Sequence, residues 1–132
     1  MPAIERVLYN VLSRDIGKSA GFYRELGNFD QIYTSDWYIV LALPEHVGFQ
    51  LGIIAADSEY TPKQVRGTPA GGYLTLVVDD VHVAVEQARA MDAEVIQEPV
   101  ALGYGQTQAL IRDPDGNVVD VSTPTEKLAR QT

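Results

Sequence analysis

The chain has 132 residues, 45% hydrophobic and 21% charged, enough for one globular domain or for two small repeats sharing a core. Ten Lys and Arg against 18 Asp and Glu give a net charge of −8, which argues against binding a phosphate backbone or an anionic membrane. Cysteine is absent and histidine occurs twice, so disulfides, thiolate nucleophiles, Cys-based metal sites and a His-rich metal cage are out of reach.

Ile4 to Leu12 alternates as a strand, with Val7, Tyr9 and Val11 on one face and Leu8, Asn10 and Leu12 on the other. Arg14-Asp15 leads into Ile16, Ala20, Tyr23 and Leu26, one apolar helical face, and Gly27 stands at the C-cap position. Three strand-like runs follow, Phe29 to Thr34, Trp37 to Leu43 and Gly48 to Ile54, with turns at Ser35-Asp36 and Pro44-Glu45. Residues 55–70 are polar, contain two prolines and Gly67, and read as a connector. Tyr73 to Val78 is again strand-like. Asp79-Asp80 then offers an N-cap to a helix whose apolar face is Val81, Ala84, Val85, Ala88 and Met91. Glu94 to Ala101, Gln106 to Arg112 and Val118 to Ser122 complete the strands, the last two joined by Asp113-Pro114-Asp115-Gly116-Asn117. From Pro124 the tail is polar and is expected to fray.

The order is β-α-β-β-β, connector, β-α-β-β-β. Asp15 and Asp80, which open the two helices, stand 65 positions apart, nearly half the chain. The expectation is an α+β fold of tandem βαβββ modules at residues 1–54 and 71–123, with a connector at 55–70 and a tail at 124–132. Residues 1–9 carry Glu5 and Arg6 and lack a secretory leader's apolar run. The longest apolar stretch, Trp37 to Pro44, is far too short to span a membrane, so a cytoplasmic protein is expected.

Within Leu12 to Gly27, Asp15, Ser19, Phe22-Tyr23 and Leu26-Gly27 resemble the first strand-helix unit of the vicinal oxygen chelate superfamily, which includes glyoxalase I, extradiol dioxygenases and bleomycin resistance proteins. Arg112 to Asp120, reading Arg-Asp-Pro-Asp-Gly-Asn-Val-Val-Asp, resembles the last hairpin of that superfamily. The resemblance covers residues 4–123. It implies a cupped, mostly antiparallel sheet with a ligand site on the concave face. It also implies one metal ligand in each of four strands, at positions that here hold Leu8, Gln50, Tyr73 and Asp120. Leucine has no donor atom, glutamine and neutral tyrosine are poor donors, and Asp120 alone is a natural divalent ligand. No metal or other cofactor is therefore expected.

The resemblance also reaches a metal-free branch of dimeric drug-binding proteins, through Tyr104-Gly105-Gln106, where their aromatic-Gly-Gln segment stacks on ligand. The leading expectation is sequestration of a small planar or aromatic molecule by a homodimer, its contacts drawn from the Val and Ala face of the second helix and the edge strands. Candidate ligand residues are Gln50, Tyr73, Tyr104 and Asp120, with Asn10 on the same face and either Trp37 or Tyr38 turned toward it. Simpler roles compete. Tyr104 can instead cap the core edge, Trp37, Tyr38 and Tyr33 can be core or dimer contacts, and Tyr73 can bond Asp120 in a closed polar cluster. His46, in a turn, and His82, opening a helix, are expected to be exposed. A lyase, isomerase or dioxygenase-like enzyme is the alternative function, needing an unusual metal site or Asp120 as general base. A non-catalytic assembly protein is the third. No Gly-x-Ser-x-Gly elbow or triad context supports nucleophilic catalysis.

Overall fold

The computed structural model describes residues 2–130, the side chain of Val47 excepted; Met1 and the last two residues of the expected tail lie outside them. The chain divides between Gly67 and Thr68 into two compact units. Each is a βαβββ module. The first runs β1 (Val7–Ser13), α1 (Ile16–Leu26), β2 (Asp30–Thr34), β3 (Tyr38–Leu43) and β4 (His46–Ala55). The second runs β5 (Leu74–Val77), α2 (Val81–Ala90), β6 (Val95–Ala101), β7 (Gln106–Arg112) and β8 (Val118–Pro124), followed by α3 (Thr125–Arg130). Strand order repeats, β1-β4-β3-β2 and β5-β8-β7-β6. In each sheet the first strand pairs in parallel with the fourth and the other two ladders are antiparallel. The expected α+β tandem architecture is present as two four-stranded mixed sheets.

Both helices start for the same reason. Asp15 and Asp80 hold extended backbone, and their carboxylates accept from the amides of Lys18 and His82, satisfying donors that a helix start leaves open. The apolar spacing then buries Ala20, Phe22, Tyr23 and Leu26 in α1, and Val81, Ala84, Val85 and Ala88 in α2. In the first unit the Ser13 and Ser19 hydroxyls meet at 2.7 Å, which fixes the face of β1 that α1 covers. By alternation that face carries Val11, Ile39, Leu41, Leu51 and Ile53, all at most 5% exposed. In the second unit Ala109, Ile111, Val119 and Val121 form the corresponding core, each fully buried.

Four expectations need correction. The first strand begins at Val7 rather than Ile4, because its ladder partner β4 starts pairing with it at Phe49. His46 opens β4 rather than lying in the turn, though it is exposed as expected. The tail does not fray over residues 124–130: β8 extends to Pro124, and α3 is anchored by the Thr125 amide on the Gly105 carbonyl and by the Thr107–Thr125 hydroxyl pair. The Val and Ala face of α2 packs on its own unit, at most 6% exposed, and is not free to serve as a dimer contact.

The connector is ordered as well. The Ala56 amide donates to the Ser13 carbonyl, Thr61 Oγ1 to the Ala55 carbonyl, and Arg66 Nη2 to the Ser58 carbonyl around a short 3₁₀ turn at Lys63–Val65.

Candidate functional site

Each sheet turns one face away from its helix, and the polar candidates lie on those two faces. In the first unit the parallel register sets Leu8 beside Gln50 and Asn10 beside Gly52, while antiparallel pairing sets Val40 beside Gly52. Arg6, two residues ahead of Leu8, donates from Nε to Gln50 Oε1 at 2.8 Å. Tyr38 reaches across the sheet and donates its hydroxyl to Asn10 Oδ1 at 2.5 Å. That crossing is possible because the strand between them carries Gly52. A Cβ there would overlap Asn10 Oδ1 and stand 2.5 Å from the Tyr38 hydroxyl oxygen, far inside contact distance. Burial raises the Tyr38 phenol above its ordinary value near 10, with the Arg6 charge opposing the rise.

Tyr38 is the member of its pair directed at this face. Trp37 stacks on it, ring centroids 5.4 Å apart and planes 16° apart, and Tyr60 of the connector covers Trp37 at 4.7 Å. Tyr33 adds a fourth ring, 6.3 Å from Tyr38.

In the second unit Asp120 is central. It lies on β8, 4% exposed, with Thr75 of β5 and Leu110 of β7 as its register partners. Thr75 Oγ1 donates to Asp120 Oδ2 at 3.1 Å. Asp120 Oδ1 is buried and has no hydrogen-bond partner among the described residues. Gln97 and Gln108 close the same face with two 3.2 Å bonds from Gln97 Nε2, to Gln108 Oε1 and the Gln108 carbonyl. Gln106, at the start of β7, also holds a buried Oε1 without a partner among the described residues. Two residues earlier, Tyr104 stands 69% exposed on the β6–β7 turn, which the Leu102 amide closes on the Gln106 carbonyl. So exposed a ring does not cap the core. Tyr73 precedes β5 and is 63% exposed; Asp120 bonds Thr75, not Tyr73.

Arg6, Gly52 and Thr75 complete these groups and were missed in the sequence. Extending the alternation by one step, from Leu8 back to Arg6 and from Tyr73 on to Thr75, would have found two of them. Gly52 carries no signal short of the register that lays Tyr38 over it.

Residues 4–121 match the family model of the Glyoxalase/Bleomycin resistance protein/Dioxygenase superfamily. The chain belongs to that superfamily. A superfamily enzyme from Burkholderia phytofirmans PsJN is 25% identical with a TM-score of 0.77, covering 89% of this chain and 96% of its own. A superfamily member from Sphaerobacter thermophilus DSM 20745 is 17% identical, TM-score 0.72, over 92% and 98%. A lactoylglutathione lyase from Agrobacterium tumefaciens is 18% identical, TM-score 0.67, over 92% and 95%. The last two show the shared fold alone. No curated protein gives a significant match.

The residues at the four positions that the resemblance assigns to metal ligands, Leu8, Gln50, Tyr73 and Asp120, do not fit a divalent ion. Leu8 offers no donor, and Gln50 already accepts from a guanidinium whose charge would repel the metal. Among the described residues no group of three or more His, Cys, Asp or Glu is placed to hold one. Nor is any described helix long and apolar enough to cross a membrane.

Proposed function

We propose that this protein binds and sequesters a small planar or aromatic molecule without a metal, acting as a cytoplasmic homodimer in the manner of the family's antibiotic-resistance members. The observation that carries the reading is Asp120. A buried acceptor left unpaired costs about 1–3 kcal/mol, and a buried carboxylate more, so folding alone gives no reason to keep one there. A ligand N–H, O–H or cation at Oδ1 supplies the missing partner, and the exposed Tyr104 offers an aromatic face for stacking. Leu8, and Arg6 bonded to Gln50, favour a metal-free site over the lyase or dioxygenase reading. A negatively charged protein also attracts a cationic planar compound.

Thermal-shift and calorimetric titration against planar aromatic compounds, cationic and neutral, with divalent metals run in parallel, tests this. A ligand at 100 times its Kd stabilises the native state by about 2.7 kcal/mol, and Asp120→Asn should reduce that gain. One tightly held metal per chain, lost on Asp120→Ala, would overturn the reading in favour of the enzyme.

A further inference from the structure

Both side-chain pairings on the first sheet's outer face engage the same half of an amide. Arg6 Nε donates to Gln50 Oε1, and the Tyr38 hydroxyl donates to Asn10 Oδ1. The polar groups left over are therefore of one kind. The NH2 groups of Gln50 and Asn10 and the Nη groups of Arg6 have no hydrogen-bond partner among the described residues, and every one of them is a donor. Arg6 also forms no ion pair with a described residue. Gln50 is only 9% exposed, yet the sealed side-chain atoms lacking a partner among the described residues are Gln106 Oε1 and Asp120 Oδ1. Gln50 Nε2 is thus reached by solvent.

Strand register gathers these donors round one residue. Arg6, Leu8 and Asn10 alternate onto one face of β1 in steps of about 6.6 Å, and Gln50 lies beside Leu8 on β4. Leu8 is half-buried and offers an apolar floor with no group of its own to bond them. Asp30 shares the face through Ala42, but two strands out from Gln50, about 10 Å away.

We propose that this face is a carboxylate-binding site, at which Arg6 Nη and the amides of Gln50 and Asn10 take the carboxylate of a small aromatic acid above Leu8. A carboxylate accepts and never donates, so a set of donors alone suits it, and the guanidinium supplies a charge-assisted bond. One guanidinium matches one negative charge, whereas a phosphate dianion would add an excess to a chain already at −8. The aromatic part is selected by Tyr38, which crosses the sheet to Asn10 and is backed by Trp37. The bonds to Gln50 and Asn10 hold these side chains in place before any ligand arrives. The charge that repels a divalent ion here draws an anion. The site lies wholly in the first unit and uses neither Asp120 nor Tyr104, so it stands independently of the reading above.

Heteronuclear NMR of the full chain tests it, because the side-chain NH2 signals of Asn10 and Gln50 report the site directly. Naphthoate should shift both signals saturably at concentrations up to about 10 mM, and naphthamide, the same ring without the charge, should not. Gln50→Glu keeps the contact with Arg6 but gives the guanidinium a resident carboxylate. It should weaken naphthoate at least about tenfold, followed on Asn10, and Arg6→Gln should do the same. Arg24→Gln, which removes a positive charge from the exposed side of α1, should change nothing. Far-UV circular dichroism confirms that each variant is folded. Naphthoate that leaves both NH2 signals unmoved overturns the proposal. So does naphthamide or inorganic phosphate binding as tightly as naphthoate, or an affinity that withstands both Gln50→Glu and Arg6→Gln, or one that falls equally with Arg24→Gln.

Discussion

On the first sheet's outer face the polar side chains are paired with each other: Arg6 with Gln50, Tyr38 with Asn10. On the second, Asp120 keeps one buried oxygen unpaired, and Gln106 at the start of β7 does the same. Both buried side-chain oxygens without a partner among the described residues therefore fall in one of two units with the same strand order. A shared topology has been given two uses. Closed hydrogen bonds make the first face specific and stiff, whereas open acceptors leave the second able to recognise something.

Breaking the closed side should produce the largest effect. Gly52→Ala pushes a methyl into the Tyr38–Asn10 contact, adding overpacking to a lost hydrogen bond. The expected loss is about 2–4 kcal/mol, read as a marked fall in Tm. If the melt is unchanged, the first face is not the constrained element described here. On the open side, Asp120→Asn should leave the fold intact or slightly more stable while weakening a cationic or donor ligand by about tenfold to a hundredfold. Calorimetric titration separates the two quantities. Tyr104→Ala should cost about tenfold in affinity with little change in Tm, since the ring covers no core, and Tyr104→Phe or Trp should preserve binding. A large fall in Tm with unchanged affinity would reverse the roles given to the two units.

The smallest effect sharpens the comparison through pH. Burial raises the Tyr38 pKa, so the folded chain holds that proton more tightly than the unfolded chain does. Its contribution to stability is whole below about pH 10 and is lost as pH rises through the folded value. Tyr38→Phe should cost about 0.5–1.5 kcal/mol near neutrality and lose stability less steeply than wild type in alkaline denaturation.

Much of this fold was legible because its signals are local. The spacing Ile16, Ala20, Tyr23, Leu26 marks the buried face of α1, and Asp113-Pro114-Asp115-Gly116-Asn117 gives the β7–β8 turn. There the Asp113 carboxylate accepts from the Asp115 and Asn117 amides, and Gly116 takes the φ of +90° that its backbone requires. What depends on register was not legible. Thr75 meets Asp120, and Arg6 meets Gln50, across 45 and 44 residues, set by strand pairings that no short window contains. α3 was missed for a different reason. Thr125–Arg130 has too little apolar periodicity to announce a helix and is held instead by contacts with residues 105 and 107.

Trp37 is the chain's only tryptophan, and it lies between Tyr38 of β3 and Tyr60 of the connector. That sandwich is a built-in optical probe. Its intrinsic emission and the near-ultraviolet dichroism of the coupled rings report one junction, where residues 55–66 lie against the first sheet. A melt followed by selective excitation of tryptophan will therefore follow the seating of that segment, since the second unit contains no indole. Where emission and far-ultraviolet melts separate, the gap between them measures how independently the two units unfold.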